Sequence, residues 1–101
     1  MDQTVERASH HYKTQRTYRS LEEVVTQLHK GMDRAVVEKL LGKADYSPIA
    51  GQEYYSSERR ERVLHGKKEM QVPVGLIIDY RDEQGRVTKR LQMFQLGRIG
   101  E

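Results

Sequence analysis

Residues 73–85, PVGLIIDYRDEQG, decide the fold. After Pro73, the side chains of Val74, Leu76, Ile78 and Tyr80 alternate with Gly75, Ile77 and Asp79, the two-residue period of a strand with one buried face. The following DEQG, Asp82 to Gly85, is a hairpin signal, with Gly85 free to take the left-handed position of a short loop. A partner strand is therefore expected over 87–96, with Val87, Leu91 and Met93 facing inward. The opposite face, with Ile77, Asp79, Arg81, Thr88, Arg90 and Gln92, reads as solvated.

Upstream, residues 52–57, QEYYSS, have the aromatic content of a third strand. Tyr54 and Tyr55 must then point to opposite faces, one into the core and one outward. Residues 58–69, ERRERVLHGKKE, form a charged connection that is either a hairpin loop or the extended ends of two strands. Residues 44–51 read as a loop broken by Pro48 and Gly51.

Two short helices precede the strands. Residues 20–23, SLEE, match a capping box, and Leu21, Val24, Val25 and Leu28 share one helical face, which predicts a helix over 21–29. Asp33 is a good N-cap for a second helix, with Met32 and Val37 as a hydrophobic staple, Val36, Val37, Leu40 and Leu41 as the stripe, and Gly42 as the stop. Neither helix is long enough to stand alone, so both need a sheet to pack on. Residues 1–19 show no apolar period and are expected to be a flexible polar arm. The expected architecture is α+β, helix-helix-strand-strand-strand, with two helices on a three-stranded antiparallel sheet over residues 20–97.

Composition excludes several classes of function. The chain has 101 residues, which is one domain. It holds no Cys, which removes disulfide scaffolds, thiol nucleophiles and thiolate metal sites. Mean hydropathy is −0.87, and no run of residues has the length and apolarity to span a bilayer as a helix. The 18 Lys and Arg stand against 15 Asp and Glu, a mixed-sign surface that does not imply nucleic acid. His10 and His11 lack further ligands, His29 sits at a helix end, and His65 is isolated, so no metal is expected. Ser20 has no nucleophile elbow around it, and Asp79 with Asp82 or Glu83 reads as strand and turn. No catalytic set and no cofactor are expected.

The densest basic patch is Arg59, Arg60 and Arg62, followed by Lys67 and Lys68. Beside it, one tyrosine of the 54–55 pair should be available for contact, and Tyr55 is taken as that one. Tyr55, Arg59, Arg60 and Arg62, with the turn carrying Tyr46 and Ile49, are the candidate binding residues.

Residues 31–43, GMDRAVVEKLLGK, resemble the glycine-methionine-polar, valine, leucine-leucine-glycine signature of the SmpA/OmlA (BamE-like) family of small bacterial outer-membrane lipoprotein domains. Tyr54-Tyr55, the 76–80 strand, the turn at 82–85 and Val87 fit the family's strand pattern, so the likeness extends over roughly residues 20–94. Ala44 stands where the family has proline. The resemblance implies two helices on three strands, a non-enzymatic monomer at the periplasmic face of the outer membrane, and a protein partner in the envelope with an anionic lipid surface nearby. It also implies a mature domain whose leader has been removed, with the polar arm as its tether. The rival expectation is a cytoplasmic α+β adaptor or enzyme-inhibitor module, since fold alone does not separate the two.

Overall fold

The 73–85 stretch behaves as its pattern requires. In the structure, a computed structural model that describes residues 3–99, Val74, Leu76, Ile78 and Tyr80 are all buried on one face of a long strand. The chain runs α1 (Gln3–Gln15), α2 (Tyr18–Val25), α3 (Arg34–Leu41), β1 (Tyr46–Ile49), β2 (Gln52–His65), β3 (Lys68–Asp79) and β4 (Met93–Arg98). The strands form one antiparallel meander in the order β1-β2-β3-β4, and the helices cover one of its faces. A thickness of 18 Å, against 45 Å and 35 Å in the other directions, leaves room for one sheet and one layer of helices. The α+β class is as expected; among the described residues the sheet has four strands and the helices number three.

The additional helix is the largest correction. Residues 3–15 of the expected flexible arm are α1, and the arm's first two residues lie outside the described ones. Val5, Ala8, Ser9 and Tyr12 stand at i, i+3, i+4 and i+7, and all four are buried. The two polar members of the stripe keep their hydrogen bonds. Ser9 Oγ donates to the Leu40 carbonyl at 2.6 Å, and Tyr12 Oη donates to the Ser56 carbonyl at 2.8 Å. Each bond thus ties α1 to a different element, α3 and β2. Arg16 ends the helix in a left-handed conformation, φ 56°, with its guanidinium on Tyr12 Oη (2.8 Å) and on the Asp45 carboxylate (2.9 Å).

The next helix starts earlier than its capping box suggests. Thr17 is the N-cap of α2 and accepts from the Ser20 N–H, while Ser20 itself is buried one turn in. Past Val25 the chain continues only as tight turns, Gln27 to Val24 and Leu28 to Val25, so the helix does not reach residue 29. The second expected helix, α3, forms with Asp33 capping it through the Ala35 N–H, and Val37, Leu40 and Leu41 are buried, but Val36, expected in the same stripe, is exposed.

Two strand expectations are corrected as well. The supposed loop at 44–51 contains β1, whose Pro48 is tolerated because β1 lies at the edge of the sheet. The strand expected over 87–96 forms only from Met93. Before that, the backbone of Lys89 and Leu91 is claimed by the α2–α3 turn. Arg34 and Gly31 donate to the Lys89 and Leu91 carbonyls, and the Leu91 N–H returns to Met32. Leu91 is buried as expected, but Val87 and Met93 are exposed. Phe94 and Leu96, opposite Ile78 and Leu76, are the residues of β4 that pack on the core. Asp79, expected to be solvated, is buried against the Arg81 guanidinium at 2.7 Å, and that hydrogen bond holds its carboxyl below the usual range despite its burial.

Candidate binding surface

The charged stretch 58–69 resolves as extended strand ends, not as a loop. β2 and β3 pair continuously from Arg60↔Pro73 out to His65↔Lys68, and Gly66, at φ +68°, opens the two-residue turn at the tip. At the root of this ribbon β2 bulges between Ser56 and Arg60. Gly75 makes the bulge possible, because a Cβ there would run into the Tyr55 carbonyl and lie 2.9 Å from the Ser56 Cα. Past the bulge the ribbon leaves the helices behind. Leu64 is 76% exposed and Met70 48%, so the tip carries apolar side chains with nothing packed on them.

The acidic residues of the ribbon are already engaged. The Glu58 carboxylate accepts from the Tyr18 N–H at 2.8 Å, Glu61 pairs with Arg98 at 3.5 Å, and Glu69 pairs with Arg62 at 3.1 Å. Arg59 stacks on the Tyr18 ring, 4.6 Å from its centre, and Arg60 donates to the Ser57 and Arg59 carbonyls. Among the described residues, Arg59, Arg60, Lys67 and Lys68 have no carboxylate partner, which leaves the ribbon with uncompensated positive charge. A cleft of about 520 Å³ runs from this root to the helices, lined by His11, Thr17, Arg19, Ser20, Glu23 and Glu58.

The structure separates the candidate residues. Arg59, Arg60 and Arg62 are all exposed on β2, with Arg59 turned onto the Tyr18 ring. Tyr46 and Ile49 are exposed on β1, where Tyr46 lies against the Tyr54 ring at 5.9 Å. Tyr55 is a correction: it is fully buried, because its cross-strand partner is Leu76 and it shares the core face of that residue. Its hydroxyl donates to the Gly42 carbonyl at 3.0 Å, and burial pushes its pKa up. Tyr54, opposite Ile77, is the outward member of the pair. Tyr18, Glu58 and Arg98 also belong to the surface, and no sequence signal marks them. Tyr18 falls in the expected arm, and the pairings of Glu58 and Arg98 cross the chain.

A second cluster sits where β2 runs under the helices. Arg34 bonds Glu38 at 2.8 Å, reaches Glu53 at 3.5 Å and lies over the Tyr80 ring, 4.4 Å from its centre. Glu53 Oε1 and Tyr80 Oη are buried without a hydrogen-bond partner among the described residues. Burial raises the Glu53 pKa, and Arg34 offsets part of that rise. Nothing in the cluster pairs a nucleophile with a base. No group of three or more His, Asp or Glu among the described residues is arranged to hold a metal, and no helix among them is long and apolar enough to cross a membrane.

Fold and surface together define an α+β domain with three helices on one face of a four-stranded antiparallel meander, from which a basic two-stranded ribbon projects. No family model, no curated protein and no solved structure matches the chain.

Proposed function

We propose that this chain is a non-enzymatic interaction domain of the bacterial cell envelope, similar in role to the SmpA/OmlA lipoprotein domains, and that it binds a protein partner through the β2–β3 ribbon. The observation that carries the reading is the ribbon itself. It stands clear of the core, keeps Leu64 and Met70 exposed, and carries Arg59, Arg60, Lys67 and Lys68 without acidic partners among the described residues. The envelope placement, at the periplasmic face of the outer membrane, is supported by the likeness of residues 31–43 to that family. Tyr46 and Ile49, exposed on the edge strand β1, would extend the contact.

The triple variant Arg59→Gln, Arg60→Gln, Arg62→Gln tests it. These side chains are exposed, so stability should change by no more than ~0.5 kcal/mol per site. Capture of envelope proteins, and of anionic vesicles run as a separate arm, should fall in the variant. Wild-type capture should also weaken with salt, because exposed charges are screened over ~8–10 Å at physiological ionic strength. Equal recovery of the same partners by both proteins would remove the ribbon from the functional surface. Salt-sensitive capture from cytosolic but not envelope extract would move the domain to the cytoplasmic adaptor reading.

A further inference from the structure

The ribbon leaves one edge of the sheet open. β1 is four residues long, and its pairing with β2 ends at Tyr54. The α1–α2 linker takes over briefly, where the Glu58 N–H donates to the Arg16 carbonyl at 3.2 Å. Beyond Glu58, no hydrogen bond from another element reaches the backbone on that side of β2 among the described residues.

The direction of the free groups follows from Pro73. It has no N–H, and its carbonyl accepts from Ile99 at 2.9 Å, on the β4 side of β3. Its cross-strand partner Arg60 therefore sits in a non-hydrogen-bonded pair, in which both residues turn their backbone groups away from each other. Arg60, and by the two-residue period Arg62 and Leu64, thus present N–H and C=O outward along the edge. The outward Glu58 N–H fits the same period.

Charge decides what such an edge accepts. Its own acids are engaged by Tyr18, Arg98 and Arg62, and Arg59 and Arg60 have no carboxylate partner among the described residues. Cations along an open edge repel a second copy of the same edge, since like charges directly opposite destabilise a strand pair. They favour a strand that brings carboxylates. The Arg62–Glu69 pair is exposed on both sides, so exchanging it for a partner's carboxylate costs little.

We propose that the β2 edge from Arg60 to Leu64 receives an extended acidic segment of a partner protein as an added strand. The proposal rests on the ribbon being the binding surface and specifies how it binds: main-chain hydrogen bonds supply affinity, and arginine–carboxylate contacts supply selectivity.

The probe is a fluorescein-labelled nonapeptide alternating Glu and Val, compared with its Lys-for-Glu analogue and with a fully N-methylated copy that keeps every carboxylate. The Glu peptide should bind at least tenfold tighter than the Lys peptide, and N-methylation should reduce its binding by at least tenfold. On the protein side, Arg62→Gln removes the charge and its pairing with Glu69 but keeps the backbone N–H, whereas Arg62→Pro also removes that outward N–H. Proline is tolerated at edge positions whose N–H faces solvent. Arg62→Pro should weaken binding at least tenfold more than Arg62→Gln. Equal binding of the methylated and parent peptides overturns strand addition, as does failure of the Glu peptide to bind at millimolar concentration. The methylated peptide decides the matter on wild-type protein even if Arg62→Pro does not fold. Displacement of the peptide by phosphatidylglycerol vesicles or duplex DNA with no penalty for methylation would leave a charge-only surface and overturn the proposal. If the triple Arg→Gln variant loses envelope partners while methylation has no effect, the ribbon remains the binding surface and only the strand mechanism falls.

Discussion

Helix α1 and the β2–β3 ribbon look alike as sequence and behave in opposite ways. Both are polar stretches that carry few large apolar side chains. Yet α1 lies on the core with Val5, Ala8 and Tyr12 each no more than 3% exposed, while Leu64 on the ribbon is 76% exposed. Apolar content does not separate them. In α1 the buriable residues recur with the helical period, and its polar ones reach acceptors on other elements, the Leu40 and Ser56 carbonyls. On the ribbon, Val63 and Met70 face each other across the strands, but the helices end before they reach that far. A stretch is buried when its period meets a surface, and it stands free when the surface runs out.

The comparison breaks most visibly at Tyr12. Tyr12→Ala removes a fully buried ring that packs edge-on against Tyr55 at 6.4 Å and leaves the Ser56 carbonyl without its donor. The expected cost is about 3–5 kcal/mol, near the whole stability of a small domain. Thermal unfolding followed by circular dichroism should show the loss. A melting curve like that of wild type would mean that α1 is dispensable and that residues 3–15 behave as a polar arm after all. The phenol itself resists ionisation, since burial pushes its pKa up to about 12, so the tie to β2 persists through the neutral range.

Gly75→Ala attacks the boundary between the two regions. The new Cβ meets the backbone of Tyr55 and Ser56, which cannot turn aside as a side chain would. The bulge must shift, at about 2–3 kcal/mol. The ribbon's register from Arg60 outward should change with it, visible as altered cross-strand contacts between Arg60 and Pro73 in solution spectra. Unchanged contacts would mean that the bulge is not held by Gly75.

What is legible in the sequence follows the same division. The 74–80 strand and α3 carry complete local patterns, and both elements form, with Val36 the one member of the α3 stripe left exposed. α1 escapes a search for apolar periods because its stripe passes through Ala8, which is small, and Ser9, which is polar, although helix packing welcomes both. The choice between Tyr54 and Tyr55 is invisible locally, because the phase of β2 is set by pairing Tyr55 with Leu76 across the hairpin. The stretch 87–92 looks like strand by itself, and only the bonds from Gly31, Met32 and Arg34 draw it away. At the candidate surface the cations are legible. Their compensation is not, because Glu58 answers to Tyr18 and Glu61 to Arg98, far along the chain.

Glu53 tests the part of β2 that does go under the helices. Burial raises its pKa, so between the unfolded and the folded value the folded protein binds more of this proton than the unfolded chain does. Folding therefore loses stability as pH rises from the ordinary carboxyl range, near ~4.3, through the raised folded value. Glu53→Gln removes that titration. The stability of the variant relative to wild type should grow across this window and level off above it. A flat difference from pH 4 to 7 would mean that Arg34, at 3.5 Å, fully offsets the burial.

The smallest effect should come from the ribbon tip, and it sharpens the contrast most directly. Leu64 is a large apolar residue in a regular strand, so composition alone assigns it a share of the hydrophobic stabilisation. The structure assigns it almost none, since 76% of its surface stays in water when the chain folds. Leu64→Ser should therefore change stability by no more than ~0.5 kcal/mol, against several for Tyr12→Ala. Denaturant unfolding of the two variants side by side gives the ratio. A cost above ~2 kcal/mol for Leu64→Ser would mean that the tip is covered in solution, by the domain itself or by a second copy. Concentration dependence of the midpoint would tell those two apart, because only a second copy makes stability follow mass action.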